Sequence, residues 1–162
     1  MTDAPADPKA RIASLTLDER TVVRRNADIE HERAIAIFDI LEENRFRHLG
    51  GLEGPFHLQL SIEDNRLILD LQSSERQPLD HIILPLSGFR KIIRDYFLVC
   101  ESYFTAIRKS SPSQIEAIDM GRRGLHNEGS EMLRERLADR IELDLDTARR
   151  LFTLICVLHI RG

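Results

Sequence analysis

Between Pro55 and Gln72 the chain alternates apolar and polar residues with a period of two. Phe56, Leu58, Leu60 and Ile62 oppose His57, Gln59 and Ser61, and Leu67, Leu69 and Leu71 repeat the pattern beyond Asp64-Asn65. Alternation is the mark of a half-buried strand and Asp-Asn favours a tight turn, so the two segments are expected to pair as a hairpin. HIILPL, after the polar SSERQP loop, predicts a third strand. Pro85 has no N–H to give a ladder and places that strand at an edge or marks its end. Near the start, RIASLTLDE sets Ala13, Leu15 and Leu17 against Ser14 and Thr16, the pattern of a further strand. Gly50-Gly51 and Gly54-Pro55 punctuate a loop before Phe56.

Elsewhere the period lengthens to that of a helix. From Asp28, Ala34, Ile37, Phe38 and Leu41 fall at i, i+3, i+4 and i+7, opposite an acidic face of Glu30, Glu32, Asp39, Glu42 and Glu43 that reads as solvated. Ser87 is placed to cap a long helix with Phe89, Ile92, Ile93, Tyr96, Phe97, Cys100, Tyr103, Phe104 and Ile107 on one stripe, which predicts the anchor of the core. Pro112 suits a first helical turn, and two helices joined at a glycine-marked junction are expected over 112–140. DLDTARRLFTLICVLHI, with a cap at Asp144 or Asp146, is apolar nearly all round from Leu151 to Leu158 and predicts a buried helix. The fold class that results is α+β: a small antiparallel sheet of three or four strands packed against a helical C-terminal half.

The chain has 162 residues, enough for one domain that buries about two thirds of its unfolded surface. Residues 1–10, with two prolines, two aspartates and few bulky apolar groups, are expected to be a disordered tail, leaving 11–162 as a single domain. Two cysteines form no disulfide framework, and no charged-then-apolar leader precedes a cleavage site, so a reducing cytoplasm is expected. Leu151 to Ile160 falls far short of the roughly 20 residues of a membrane span. With 23 Lys+Arg against 27 Asp+Glu the chain is acidic, and its short basic clusters (Arg24-Arg25, Arg90-Lys91, Arg122-Arg123, Arg149-Arg150) disfavour nucleic acid as a partner.

Candidate chemistry concentrates in MGRRGLHNEGSE, 120–131. A glycine inside a helix costs about 1 kcal/mol relative to alanine, so Gly121, Gly124 and Gly129 argue against a featureless helix. One reading is a helix end followed by a new helix capped by Asn127, or glycines admitting close approach of another helix. The other is a ligand site: Arg122 and Arg123 supply fixed donors, Asn127 and backbone amides at a helix start attract an anion, and His126 with Glu128 moves protons. Gly-Arg-Arg-Gly is neither a phosphate-binding loop with its lysine nor a dinucleotide fingerprint. His31-Glu32 lacks a second histidine, and Cys156 with His159 reads as packing, so no metal and no cofactor are assigned. Cys100 reads as a small buried hydrophobe, and no nucleophile signature is present.

The blocks EHERAIAIFDILEENRF (30–46), FRKIIRDYFLVCESYFTAI (89–107), SPSQIEAIDMGRRGLHNEGSEMLRERL (111–137) and DTARRLFTLICVLHI (146–160) resemble the UPF0262 family of alphaproteobacteria. The resemblance spans nearly the whole chain after the tail, and SPSQIEAIDMGRRGLHNEGS is its most specific block. It implies a bacterial, cytoplasmic protein built as one unit. It brings no activity, substrate or catalytic residue. By elimination, the residues favour a non-enzymatic cytoplasmic protein that binds a partner protein or itself. The alternative is an enzyme or binding protein for an anionic small molecule, using Arg122, Arg123, His126, Asn127 and Glu128.

Overall fold

In the computed structural model, which describes residues 7–18 and 27–159, strands β3 (Phe56–Glu63) and β4 (Arg66–Gln72) form the expected antiparallel hairpin. Asp64 and Asn65, at φ of 49° and 62°, make its turn. Both angles lie in the left-handed region that Asp and Asn tolerate, and such turns match the twist of the strands. The third strand, β5 (Pro78–Pro85), pairs with β4 at one edge of the sheet, as its proline demands.

The fourth strand corrects one expectation. β1 (Ile12–Leu17) pairs with β3 in parallel, so the sheet, ordered β1-β3-β4-β5, is mixed rather than antiparallel. A parallel neighbour needs a long crossover, and helix α1 (Ala27–Glu42) lies in that connection. Two three-residue strands that no alternation announced, β2 (Phe46–His48) and β6 (Ile141–Leu143), form a separate antiparallel pair. Of the expected tail, Pro8–Ala10 form a 3-10 turn capped by Asp7, with Ala10 buried. Residues 1–6 and Arg24-Arg25 lie outside the described residues.

Register sorts the sheet into two faces. Leu58 pairs with Leu71, Leu60 with Leu69, which pairs in turn with Ile82, and Ile62 with Leu67, which pairs with Leu84, all buried on the side that meets the helices. The opposite face carries Gln59, Asp70 and His81 in one row, with the His81 Nδ1 bonded to the Asp70 carboxylate. His57, on this polar face, is buried and satisfied at both ring nitrogens, by Ser14 Oγ at 2.6 Å and Thr16 Oγ1 at 3.2 Å.

The helices are α1, α2 (Arg90–Lys109), α3 (Pro112–Leu137) and α4 (Leu145–His159). α4, not α2, is the centre of the core, with Leu151, Phe152, Leu154, Ile155 and Cys156 all nearly inaccessible. At about 1.5–3 kcal/mol per buried large side chain, it is the most stabilising helix. Its cap is Asp144, whose Oδ1 accepts from Thr147 N at 3.0 Å. α2 buries Ile92, Ile93, Tyr96 and Cys100, but at some 30 Å long it outruns the core, and Ile107 is 52% exposed. Ser87 does not cap it: Phe89 holds the cap position without a side-chain bond, and the Leu86 carbonyl accepts from both Phe89 N and Arg90 N.

Two further expectations give way. On α1 the buried residues are Ala36 and Ile40, with Ile37 and Leu41 half-buried, while Phe38 is 64% exposed. The AIAIF run is apolar over more than half a turn and fits two phases of the helix, and packing against α4 and β1 selects one. In α3 the junction near Gly121 and Gly124 does not exist. The helix runs unbroken over 26 residues from a capping box in which Ser111 Oγ accepts from Gln114 N and the Gln114 side chain accepts from Ser111 N.

Candidate functional site

An unbroken α3 fixes the direction of every side chain on 120–131 by its 100° step. Arg122, Arg123 and His126, at i, i+1 and i+4, share one side and face a cavity of about 430 Å³. Asn127 lies further out, in an adjoining open concavity of about 450 Å³ with Met120, Arg123, Gly124 and Arg149. Glu128, two steps and some 200° beyond His126, is exposed and does not join them. With no helix start at 124–127, the backbone amides expected to attract an anion are instead spent on the helix. Three of the five expected residues therefore converge, one sits at the rim, and one points away.

All four helices wall the cavity. α1 contributes Glu32, Ile35, Ala36 and Asp39, α2 contributes Tyr96, and α4 contributes Asp146, Arg149, Arg150 and Thr153. The acidic face that read as solvated thus supplies two carboxylates to this wall. Tyr96 read as core and Arg149-Arg150 as a short basic cluster. No sequence signal separated them from those roles, because the cavity forms only where the four helices meet.

The four arginines differ in what they are free to do. Arg122 donates through Nε at 3.0 Å and Nη2 at 2.6 Å to Asp119 Oδ1, and its guanidinium lies 4.9 Å from the Tyr103 ring centre. Arg123 Nε reaches Asp119 Oδ2 at 3.2 Å, though its side chain stays 58% exposed. Arg150 Nη1 donates to the Glu43 carbonyl at 3.2 Å. Arg149 makes no ion pair among the described residues, which leaves its guanidinium available to a bound anion.

His126 packs against two aromatic rings, tilted to Tyr96 and edge-on to Phe152, with both ring centres 5.3 Å away. Its Nε2 lies 2.7 Å from Thr153 Oγ1. Burial, followed by the positive charges of Arg149 and Arg122, depresses its pKa to about 4. It is therefore a neutral imidazole at pH 7, able to give one hydrogen bond and accept one. Burial pushes the Cys100 thiol up to about 11 and raises Cys156 well above the ordinary range, so both are inert side chains of the core.

The sequence profile of a family described as "Uncharacterised protein family (UPF0262)" matches residues 9–161. A UPF0262 protein of Paramagnetospirillum magneticum is 60% identical over 154 residues, covering 95% of this chain and 98% of its own. One from Rhodospirillum rubrum is 60% identical, covering 93% of each, and one from Azorhizobium caulinodans is 57% identical, covering 96% and 97%. No solved structure matches the chain. Among the described residues no helix is long and apolar enough to cross a membrane.

Proposed function

This chain belongs to the UPF0262 family, and from its geometry we propose that it binds a small anionic molecule, bearing a phosphate or carboxylate, in the cavity between α1, α3 and α4. The observation that carries the reading is the convergence of Arg123 and Arg149 on one concavity, with the Arg149 guanidinium making no ion pair among the described residues. In a partly desolvated cavity, charge-assisted hydrogen bonds from Arg123 and Arg149 to an anion are worth more than in water. Its volume lies within the ordinary range for small-molecule sites. Calorimetric titration of phosphate tests it: wild type binds, and Arg149→Ala weakens binding by about tenfold, the loss of one charge-assisted contact. Equal weak binding by wild type, Arg123→Ala and Arg149→Ala defeats the reading.

A second reading, association with a protein partner or a second copy, rests on Ile35 and Phe38, which share a side of α1 and are 45% and 64% exposed. Sedimentation of wild type against Phe38→Ser tests it, since a shift to a smaller species is expected only if this face is an interface. Two buried thiols support a reducing cytoplasmic setting, and a core drawn from Ile12 through Leu158 supports 11–162 as one folding unit.

A further inference from the structure

The hydrogen bonds around His126 specify more than an anion. The Thr153 hydroxyl has one proton. It lies 2.7 Å from His126 Nε2 and 3.2 Å from the Arg149 carbonyl oxygen. A carbonyl only accepts, so both contacts are satisfied together in one arrangement: Nε2–H donates to Thr153 Oγ1, and the threonine proton goes to the carbonyl. That leaves Nδ1 as a lone-pair acceptor. Every buried side-chain nitrogen and oxygen among the described residues has a partner, and Nδ1 has none, so solvent reaches it. The carboxylates of Asp39 and Asp146 stand in the same wall and likewise only accept.

A ligand that is anion alone would satisfy Arg149 and leave these acceptors facing its negative charge. We propose that the ligand carries a hydrogen-bond donor, a hydroxyl or amine, beside its anionic group, with the anion on Arg149 and Arg123 and the donor on His126 Nδ1. Thr153 then acts as a positioning residue that fixes the imidazole tautomer. This rests on the cavity being an anion site, and it narrows the ligand class to hydroxylated or aminated phosphates and carboxylates.

The test compares glycerol 3-phosphate with propyl phosphate, which has the same three-carbon chain and phosphate but no hydroxyl. Wild type is expected to bind glycerol 3-phosphate about three- to tenfold more tightly, the difference of one hydrogen bond. His126→Phe should abolish the preference while still binding propyl phosphate, and Thr153→Val should reduce it. The nitrogen-15 resonances of the His126 ring read the tautomer directly in the free protein. Protonation at Nε2 is expected, and in Thr153→Val a mixture of the two tautomers. Equal affinity of wild type for the two phosphates overturns the donor requirement and leaves the anion site standing. Protonation of wild-type His126 at Nδ1 also overturns it. Binding of neither phosphate defeats both proposals.

Discussion

The ring of Phe152 on α4 lies against the backbone of Gly129 on α3, so close that a Cβ built on the glycine would overlap the ring carbons Cζ, Cε1 and Cε2, the last at 2.7 Å. This is where α3 and α4 meet, and their meeting sets His126 against Thr153. Neither Gly121 nor Gly124 has such a neighbour, and a Cβ at either would enter open space.

The three glycines should therefore respond with opposite signs. Gly129→Ala is expected to destabilise by roughly 1–3 kcal/mol, because forcing a methyl into a packed core outweighs a helix-propensity gain of about 1 kcal/mol. Gly121→Ala, free of any clash, is expected to stabilise by about 0.5–1 kcal/mol, read as a rise in Tm of a few degrees. Thermal melts of the two variants check this, and a shared sign would contradict the packing of α3 on α4.

Asn44, buried between α1 and β1, behaves as a surrogate strand partner. Its Oδ1 accepts from Ile12 N at 2.8 Å, and its Nδ2 donates to Ile12 O at 2.9 Å and Ile40 O at 2.6 Å. Asn44→Ala leaves these buried backbone groups without partners and is expected to destabilise by roughly 2–4 kcal/mol in urea unfolding. A change below about 0.5 kcal/mol, the usual size for a surface substitution, would contradict the burial.

His48 Nε2 donates to Asp80 Oδ2 at 2.8 Å, while its Nδ1 accepts from Gly50 N at 3.0 Å, so the pair straps the loop after β2 to β5. The bond from His48 holds the Asp80 carboxyl below the usual carboxylate range. A carboxyl whose folded pKa is depressed contributes stability above its unfolded pKa near 4 and loses it as pH falls through the folded value. Asp80→Ala should therefore be less stable than wild type by about 1–2 kcal/mol at pH 7, with the gap closing in acid below pH 4. A gap that is constant with pH would remove the charge from the account.

For His126 the sign runs through a different window. An imidazole at about 4 in the fold and 6.5 unfolded takes up its proton first in the unfolded chain, so the fold loses stability as pH drops from 6.5 to 4. The groups that face it are Tyr96 from α2, Arg122 and Arg123 from α3, Asp146, Arg149 and Arg150 from α4, and Glu32 and Asp39 from α1. Urea unfolding of wild type and His126→Gln across that window should diverge by on the order of 2–3 kcal/mol, with the glutamine variant relatively favoured in acid. Parallel pH curves would show an imidazole that is not buried among these groups.

Much of the fold was legible because alternation and turn chemistry are local. The β3–β4 hairpin, the edge position of β5 and the Asp144 cap each follow from a few adjacent residues. The parallel pairing of β1 was not legible, since it depends on a crossover through α1 that no local pattern specifies. The glycines of α3 misled in a physical way: propensity argued for a break, but each penalty is small, and burial of Leu133 and Leu137 and the capping box at Ser111 offset it. For the site, the fold brings Arg122, Arg123 and His126 of the 121–130 segment to one cavity, leaves Asn127 in the adjoining concavity and turns Glu128 away. Their partners on α1, α2 and α4 come together only in three dimensions, which is why Glu32 and Asp39 read as a solvated face and Thr153 carried no signal.

The most direct measurement is a phosphate titration followed by amide and side-chain chemical shifts of the isotopically labelled protein. An anion site between the helices predicts saturable shifts confined to Arg123 and His126 on α3, Arg149 and Thr153 on α4, and the facing turn of α1, all fitting one dissociation constant. Shifts scattered over surface arginines and lysines on other elements, linear with phosphate and indifferent to Arg149→Ala, would contradict it.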